Sequence, residues 1–382
     1  MSTLREVEVF PIRVPVTAAL RFASGSTGAP GDGAVLVLVR IADSDGCRGW
    51  GECRPLPQWS YETPESVVTT LRHYLAPAVL GLETSDRCGL QRRMQAVIGR
   101  GPSTGQPIAK AALDLALADL AARRAGLPLR CFLGGSRERS EVALSFTVTA
   151  HDAAGARDQV RVASAEGFLH FNIKVGVAPE TDLEVAAAVR EAAGPRAFVW
   201  ADANQGCSLP AAIALCRGLA EVPVDLFEQP FPADQPHLLR RLRPHCAVPL
   251  AVDEASVSPA DFQAHVTDGL VDYLVVKLTR SGGVWPTLQQ LAVAEAAGLP
   301  FVTSGLTDGL LTKLAACQVT AAYGGTGPAA LNGSQFIDEA ALYPGKGMIE
   351  AGGRVRLPDQ PGIGVEPEEE AMRRAVVPEL AT

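Results

Sequence analysis

From about residue 140 onward the chain alternates short apolar runs with longer stretches whose apolar residues recur at helical spacing. The runs are VALSFTV, FLHFNIK, AFVWAD, VDLFEQ, PLAVDE, DYLVVK, PFVTSG and AALNG, eight in all. From Lys174 through Asp202, Glu228, Asp253 and Lys277 to Thr303, their ends recur every 24 to 28 residues. One strand, one helix and two loops need about that length. Between them, segments such as ETDLEVAAAVREAAG and VWPTLQQLAVAEAAG carry one apolar face, which predicts parallel βα units, and eight units predict a closed barrel rather than an open sheet. The first third has another texture. Residues 4–15 and 34–41 are rich in β-branched residues, and the turn Asp43-Ser44-Asp45-Gly46 leads into CRGWGEC, so a small antiparallel meander is predicted. Helices are predicted over about 63–79, 88–98 and 106–125, the last stopping at Gly126. The expected organisation is an α+β capping domain over 1–135, a barrel over 136–345, and a tail over 346–382 that lacks the rhythm and returns to the cap.

Composition narrows the partners. The 382 residues are 47% hydrophobic, enough for two or three domains with ample core. Forty-two acids against 34 bases leave a formal charge of -8, and no lysine/arginine block exceeds a triplet. This argues against nucleic acid and against an anionic membrane, and favours a small molecule. No stretch approaches the roughly 20 apolar residues of a membrane span, and Arg5, Glu6 and Glu8 interrupt the opening where a signal peptide needs an apolar run, so the cytoplasm is the expected compartment. The eight cysteines (Cys47, Cys53, Cys88, Cys131, Cys207, Cys216, Cys246, Cys317) are scattered singly, and are expected to be reduced and mostly buried. None of the six histidines lies at a strand end, and none is assigned to chemistry.

Charged residues stand where the barrel strands should stop. In such a barrel the carboxyl ends of all strands open on one face, so these residues converge although far apart in sequence. Any one of them alone reads as a turn former or a helix cap. Together, Asp202, Glu228 and Asp253 end three neighbouring strands, and three packed carboxylates repel one another unless a cation sits among them. Oxygen-only ligation selects a hard divalent ion, magnesium (Mg2+) first and manganese second. Lys174 and Lys277 end the second and sixth strands, four apart around the ring, so their ammonium groups are expected to face each other as two bases. A lysine beside a divalent cation and another cationic group should have a depressed pKa. Gly282-Gly283 is read as a tight strand-to-helix turn rather than a phosphate cradle.

On these residues the chain resembles the enolase superfamily, within it the mandelate racemase and muconate lactonizing enzyme family, and there the muconate lactonizing subgroup. The resemblance implies a modified (β/α)8 TIM-type barrel of the enolase type with an α+β capping domain. It implies Asp202 (in ADAN), Glu228 (in FEQP) and Asp253 (in VDE) as magnesium ligands, with Lys174 and Lys277 as acid/base residues. It covers nearly the whole chain, including PGIGVE near the end and cap loops around Phe22 to Gly25 and Trp59 to Tyr61 that would close over the substrate. The glycine-rich 20–30 segment and residues 57–62 are expected to be mobile over the pocket. One position departs: the family's second-strand motif is Lys-x-Lys, whereas this chain reads Asn172-Ile173-Lys174. Asn172, Asn204, Ser304, Trp59 and Tyr61 are the expected substrate-binding residues, and Glu254 is a weaker candidate.

The implied reaction is removal of the proton α to a carboxylate through an enediolate. The outcome is a racemisation, epimerisation or cycloisomerisation of an amino-acid derivative or related small acid, by a homo-oligomer. A dehydratase of a β-hydroxy acid such as a hydroxyproline is the alternative, and a non-catalytic metal-binding protein of the same fold is the remote one. The eighth run, AALNG, lacks the Asp-x-Asp with which the family's dipeptide epimerases grip an amino group, which disfavours dipeptides.

Overall fold

The computed structural model describes residues 1–22, 25–101 and 104–381. The N-terminal third is a three-stranded antiparallel sheet in the order β1 (Leu4–Pro15), β4 (Gly33–Asp43), β5 (Arg48–Cys53), with a small hairpin of β2 (Leu20–Phe22) and β3 (Gly25–Thr27) beside it. Within the expected Phe22 to Gly25 loop, Ala23 and Ser24 lie outside the described residues. The helix Pro107–Arg124 lies flat on the sheet because β5 carries glycines at the contact. A Cβ on Gly51 would come within 2.0 Å of the Ala112 carbonyl oxygen. The predicted 63–79 helix is interrupted. It runs Pro64–Thr70, widens into a π turn over Leu71–Leu75 and resumes as Ala76–Val79, where Pro77 lacks the N–H a regular helix requires.

The remaining strands close the barrel. After β6 (Glu141–Ala143) come β7 (Ser145–Val148), β8 (His170–Lys174), β9 (Val199–Asp202), β10 (Leu226–Glu228), β11 (Leu250–Val252), β12 (Tyr273–Val276) and β13 (Phe301–Thr303). From β7 to β13 they form one parallel sheet in sequence order. The eighth run is shorter than its hydrophobicity suggests. Ala329 bridges to Leu144 and Ala330 to Ser304, which closes the ring between first and seventh strands. Pro328 precedes these two residues and a short helix, Gly333–Phe336, follows almost at once, so little chain is left to extend. Trp200, Leu226, Ala251, Val275, Val302 and Ala330 fill the interior as one buried layer, the floor on which the strand ends stand. At the chain's end β14 (Glu350–Ala351) pairs with β15 (Arg354–Arg356) and β15 with β6, after which Gly362 bridges Pro128 and Val376 bridges Ile12. No helix among the described residues is long and apolar enough to cross a membrane.

Two cysteines correct the sequence expectation. Cys216, in the helix Leu209–Glu221, is disulfide-bonded to Cys246, 30 residues on and in the next βα unit. The other six are thiols. The pairing joins the helix Leu209–Glu221 to the residue that follows the turn Arg243–His245, a tertiary contact that no local motif announces.

The Gly282-Gly283 pair makes the tight turn, with φ of 94° and 117°. An acidic side chain fills the space a phosphate would need. Asp114, from the cap, accepts the Trp285 N–H at 3.3 Å, and a Cβ on Gly283 would lie 2.2 Å from its Oδ2. Burial raises the Asp114 carboxyl to about 7, against the opposing pull of the helix N–H groups, from an ordinary value of 3.8. A carboxyl whose folded pKa is raised holds a proton that the unfolded chain has lost, so stability falls as pH rises through that window. Asp114→Asn is therefore expected to flatten the loss of stability between about pH 4 and pH 7 by an amount on the order of a few kcal/mol. Urea midpoints at both pH values would show it, and an unchanged slope would refute it.

Candidate active site

Strand alternation aims one set of side chains inward at the carboxyl ends: Thr147 on β7, Asn172 and Lys174 on β8, Trp200 and Asp202 on β9, and Glu228 on β10. Parallel register puts Lys174 opposite Asp202 and Asp202 opposite Glu228, so these three share one level of the barrel. Asp253 and Lys277 follow the last residues of β11 and β12. Lys174 Nζ donates to Asp202 Oδ2 at 2.7 Å. Lys277 Nζ and Arg280 Nη1 donate to the two oxygens of Asp253. The Glu228 carboxylate accepts from Trp200 Nε1, and its Oε1 is buried without a partner among the described residues.

Electrostatics divides the carboxylates. Burial would raise the Asp253 carboxyl, but Arg280 and Lys277 overcome it and hold the group at about 2. Glu228 is pushed well above the carboxylate range by burial and by the negative charges of Asp202 and Asp253. Glu254 is raised by burial and by its neighbour Asp253. In the protein without an ion, opposing pulls act on Lys174. Burial pulls its pKa down, yet Asp202 and Glu228 outweigh that and raise it. The expected depression needs a cation beside the ammonium, whereas the protein groups nearest to Lys174 are two carboxylates.

The cap closes the site from above. Trp59, in the short helix Pro57–Ser60, lays its ring over both ammonium groups, with centroid distances of 5.5 Å to Lys174 Nζ and 5.1 Å to Lys277 Nζ. Its Nε1 donates to Glu254 Oε1 at 2.6 Å, and Phe22 stacks against it at 4.8 Å. The enclosed space, bordered also by Asn172, Ser304 and Asn332, is about 10 Å3, room for about one water molecule. Trp59 and Leu20 are the cap residues that border this space. A second chamber of about 150 Å3 opens on the other side of Lys174, under Phe22 and between Thr149, Val177 and Val185. A wider groove of about 610 Å3 lies outside the barrel wall, between β7 and the residues after Leu331, away from both lysines.

The structure thus gathers Lys174, Lys277, Asp202, Glu228, Asn172, Ser304 and Trp59 around one cavity, with Asp253 joined to it through Lys277. Two residues fall elsewhere. Tyr61 is 61% exposed, in a left-handed conformation that turns it from the cavity. Asn204 is buried, but β9 ends at Asp202 and φ at Asn204 is 40°, so the two-residue alternation no longer holds there. Its backbone N–H donates to Asp202 Oδ1 at 2.8 Å, while its side-chain amide meets no partner among the described residues. Sequence reasoning missed Arg280, Gln229 and Trp200. Gln229 Oε1 accepts the Asp253 N–H at 2.9 Å and the Ala255 N–H at 3.1 Å, tying two strand ends together. Trp200 was visible in principle, two residues before Asp202 and so on the same face.

The donor set fits a hard divalent ion. Three carboxylates stand on three adjacent strand ends, and the central one is buried with an oxygen unsatisfied, a costly arrangement unless a cation completes it. Among the described residues no such group already converges closely enough to hold an ion, because Asp202 and Asp253 are turned toward the lysines.

Two family models match the chain. One, the mandelate racemase / muconate lactonizing enzyme N-terminal domain, spans residues 5–134, and the other, enolase C-terminal domain-like, spans 155–371. A chloromuconate cycloisomerase of Cupriavidus necator is 30% identical over 344 residues, 88% of this chain and 90% of that protein. A D-Ala-D/L-Ala epimerase of Cytophaga hutchinsonii is 29% identical over 334 residues, 86% of this chain and 87% of the relative. Among solved structures, a dipeptide epimerase from Cytophaga hutchinsonii complexed with Mg and the dipeptide D-Ala-L-Val superposes with a TM-score of 0.87 at 26% identity, covering 97% of this chain and 98% of that one.

Proposed function

Because this chain belongs to the mandelate racemase and muconate lactonizing enzyme family of the enolase superfamily, and its named relatives are isomerases, we propose that it is a divalent-metal-dependent racemase, epimerase or cycloisomerase of a small carboxylic acid. The observation that carries this reading is the pair of lysines beneath one indole ring, lining one cavity with Asp202 and Glu228. Asp202, Glu228 and Asp253 would hold magnesium, which supplies positive charge to a substrate carboxylate as its α-carbon becomes acidic. Lys174 and Lys277 reach that carbon from different strands, so one removes the proton and the other can return one to the opposite face. Arg280 and Gln229 keep Asp253 in place. Trp59 excludes water while the proton is in transit. Amino-acid derivatives are the favoured substrates, since the D-Ala-D/L-Ala epimerase among the relatives acts on such compounds and a two-base site suits inversion at an α-carbon.

The test is exchange of the α-hydrogen in deuterated water, followed by mass spectrometry over a library of carboxylic acids. Exchange that requires magnesium and stops on exhaustive chelation is expected. Exchange that survives chelation, or none with any acid, would overturn the reading.

A further inference from the structure

The turn that follows β13 is held by the cap. Among the described residues, Leu306 is the one member of the cap's buried hydrophobic cluster that comes from the barrel, and its backbone N–H donates to Asp308 Oδ2 at 2.8 Å. Next to it, Thr307 borders the reaction cavity with φ of 55°. A β-branched residue rarely takes that left-handed conformation, which persists only where the surroundings hold it. Arg54 supplies the hold. It follows the last residue of β5 and is buried, and its Nη1 donates to the Thr307 carbonyl oxygen at 2.9 Å and also to Thr307 Oγ1. The Thr307 hydroxyl gives its single proton to the Leu306 carbonyl oxygen, which leaves its lone pairs to Arg54. Burial lowers the guanidinium pKa to about 10, against the pull of Asp308, Glu339 and Glu52, so the group stays charged at neutral pH.

Two walls of the cavity meet at this contact. On the cap side, Arg54 stands five residues before Trp59, whose ring covers both lysines. On the barrel side, Thr307 follows Ser304, whose N–H donates to the Val276 carbonyl oxygen at 2.8 Å, beside Lys277. We infer that Arg54 is a positioning residue of the reaction: by holding Thr307 in its left-handed conformation, it fixes the β13 wall of the cavity against the cap segment that carries Trp59, and so the place of the substrate's α-carbon before Lys277. Arg54 does not itself border the cavity, so it acts through Thr307. The inference rests on the proposed function.

A double-mutant cycle on the magnesium-loaded protein tests it. The readouts are α-hydrogen exchange of N-acetyl amino acids, or of whichever acid of the exchange library the unaltered protein accepts, the calorimetric Kd for magnesium, and the urea midpoint. Arg54→Lys keeps a positive charge near Glu52, Asp308 and Glu339 but replaces the planar guanidinium with a point charge on a flexible stem. It should fold, bind magnesium within about twofold of the unaltered protein, and lose about tenfold or more in kcat. Adding Thr307→Gly should return most of that loss, because glycine takes the left-handed conformation unaided. On the unaltered background Thr307→Gly should not raise kcat. If Arg54 served only to offset the buried acids, lysine would replace it and glycine at position 307 would restore nothing. Unchanged kcat in Arg54→Lys, a loss that Thr307→Gly leaves untouched, or an Arg54→Lys protein that does not fold would overturn the inference alone. Absence of exchange with every acid in the unaltered protein would count against the proposed function and take the inference with it.

Discussion

Lys277→Ala is expected to lower exchange of one enantiomer's α-hydrogen by about 1,000-fold or more, the range that a positioned acid or base contributes. Lys174→Ala should do the same for the other enantiomer. The two ammonium groups come from strands four apart around the ring and lie at similar distances beneath the Trp59 ring, so neither can take the other's place. For a cycloisomerisation one lysine carries the proton and the other steadies developing negative charge, so one variant should lose exchange altogether and the other only part of it. Unfolding is not the cause to fear for Lys277→Ala, because Asp253 keeps its bond from Arg280. The loss of stability should stay below the roughly 3 to 5 kcal/mol seen when a buried ion pair loses its whole partner. Isotope exchange for both enantiomers, with the urea midpoint as control, decides it; exchange of both enantiomers that survives both single variants would refute the two-base assignment.

Glu228→Gln should separate stability from ion binding. In the protein without an ion, Glu228 is opposed by burial and by the charges of Asp202 and Asp253, and one of its oxygens is unsatisfied. Removing its charge should leave the metal-free protein at least as stable as before, an uncommon result for a buried substitution. The rise in Tm on adding magnesium should shrink sharply, because the variant loses a charged ligand, with affinity falling by about 100-fold or more. Thermal unfolding with magnesium and with a chelator gives both readouts. A destabilised metal-free variant that keeps the full magnesium increment would show that Glu228 is structural and not a ligand.

Period and spacing alone made much of this protein legible. Apolar runs ending every 24 to 28 residues require repeated βα units, and charges at those ends must meet because parallel strands in a closed barrel present them on one rim. That is why Lys174, Asp202, Glu228, Asp253 and Lys277 could be named before any coordinates. Other features depend on contacts between segments far apart in the chain. The Asp253 clasp by Arg280 and Gln229, the disulfide of Cys216 with Cys246, and the seat of Trp59 between two lysines and Glu254 are of this kind. So are the positions of the remaining candidate residues. Tyr61, with φ of 54° at the end of a short helix, is exposed, and Asn204, with φ of 40° just past β9, no longer follows the strand alternation. Without an ion, the pKa of Lys174 is raised because tertiary packing sets Asp202 and Glu228 near it. Periodicity is a property of one segment and survives in sequence, whereas the neighbours that set charge, orientation and closure exist only once the segments have packed together.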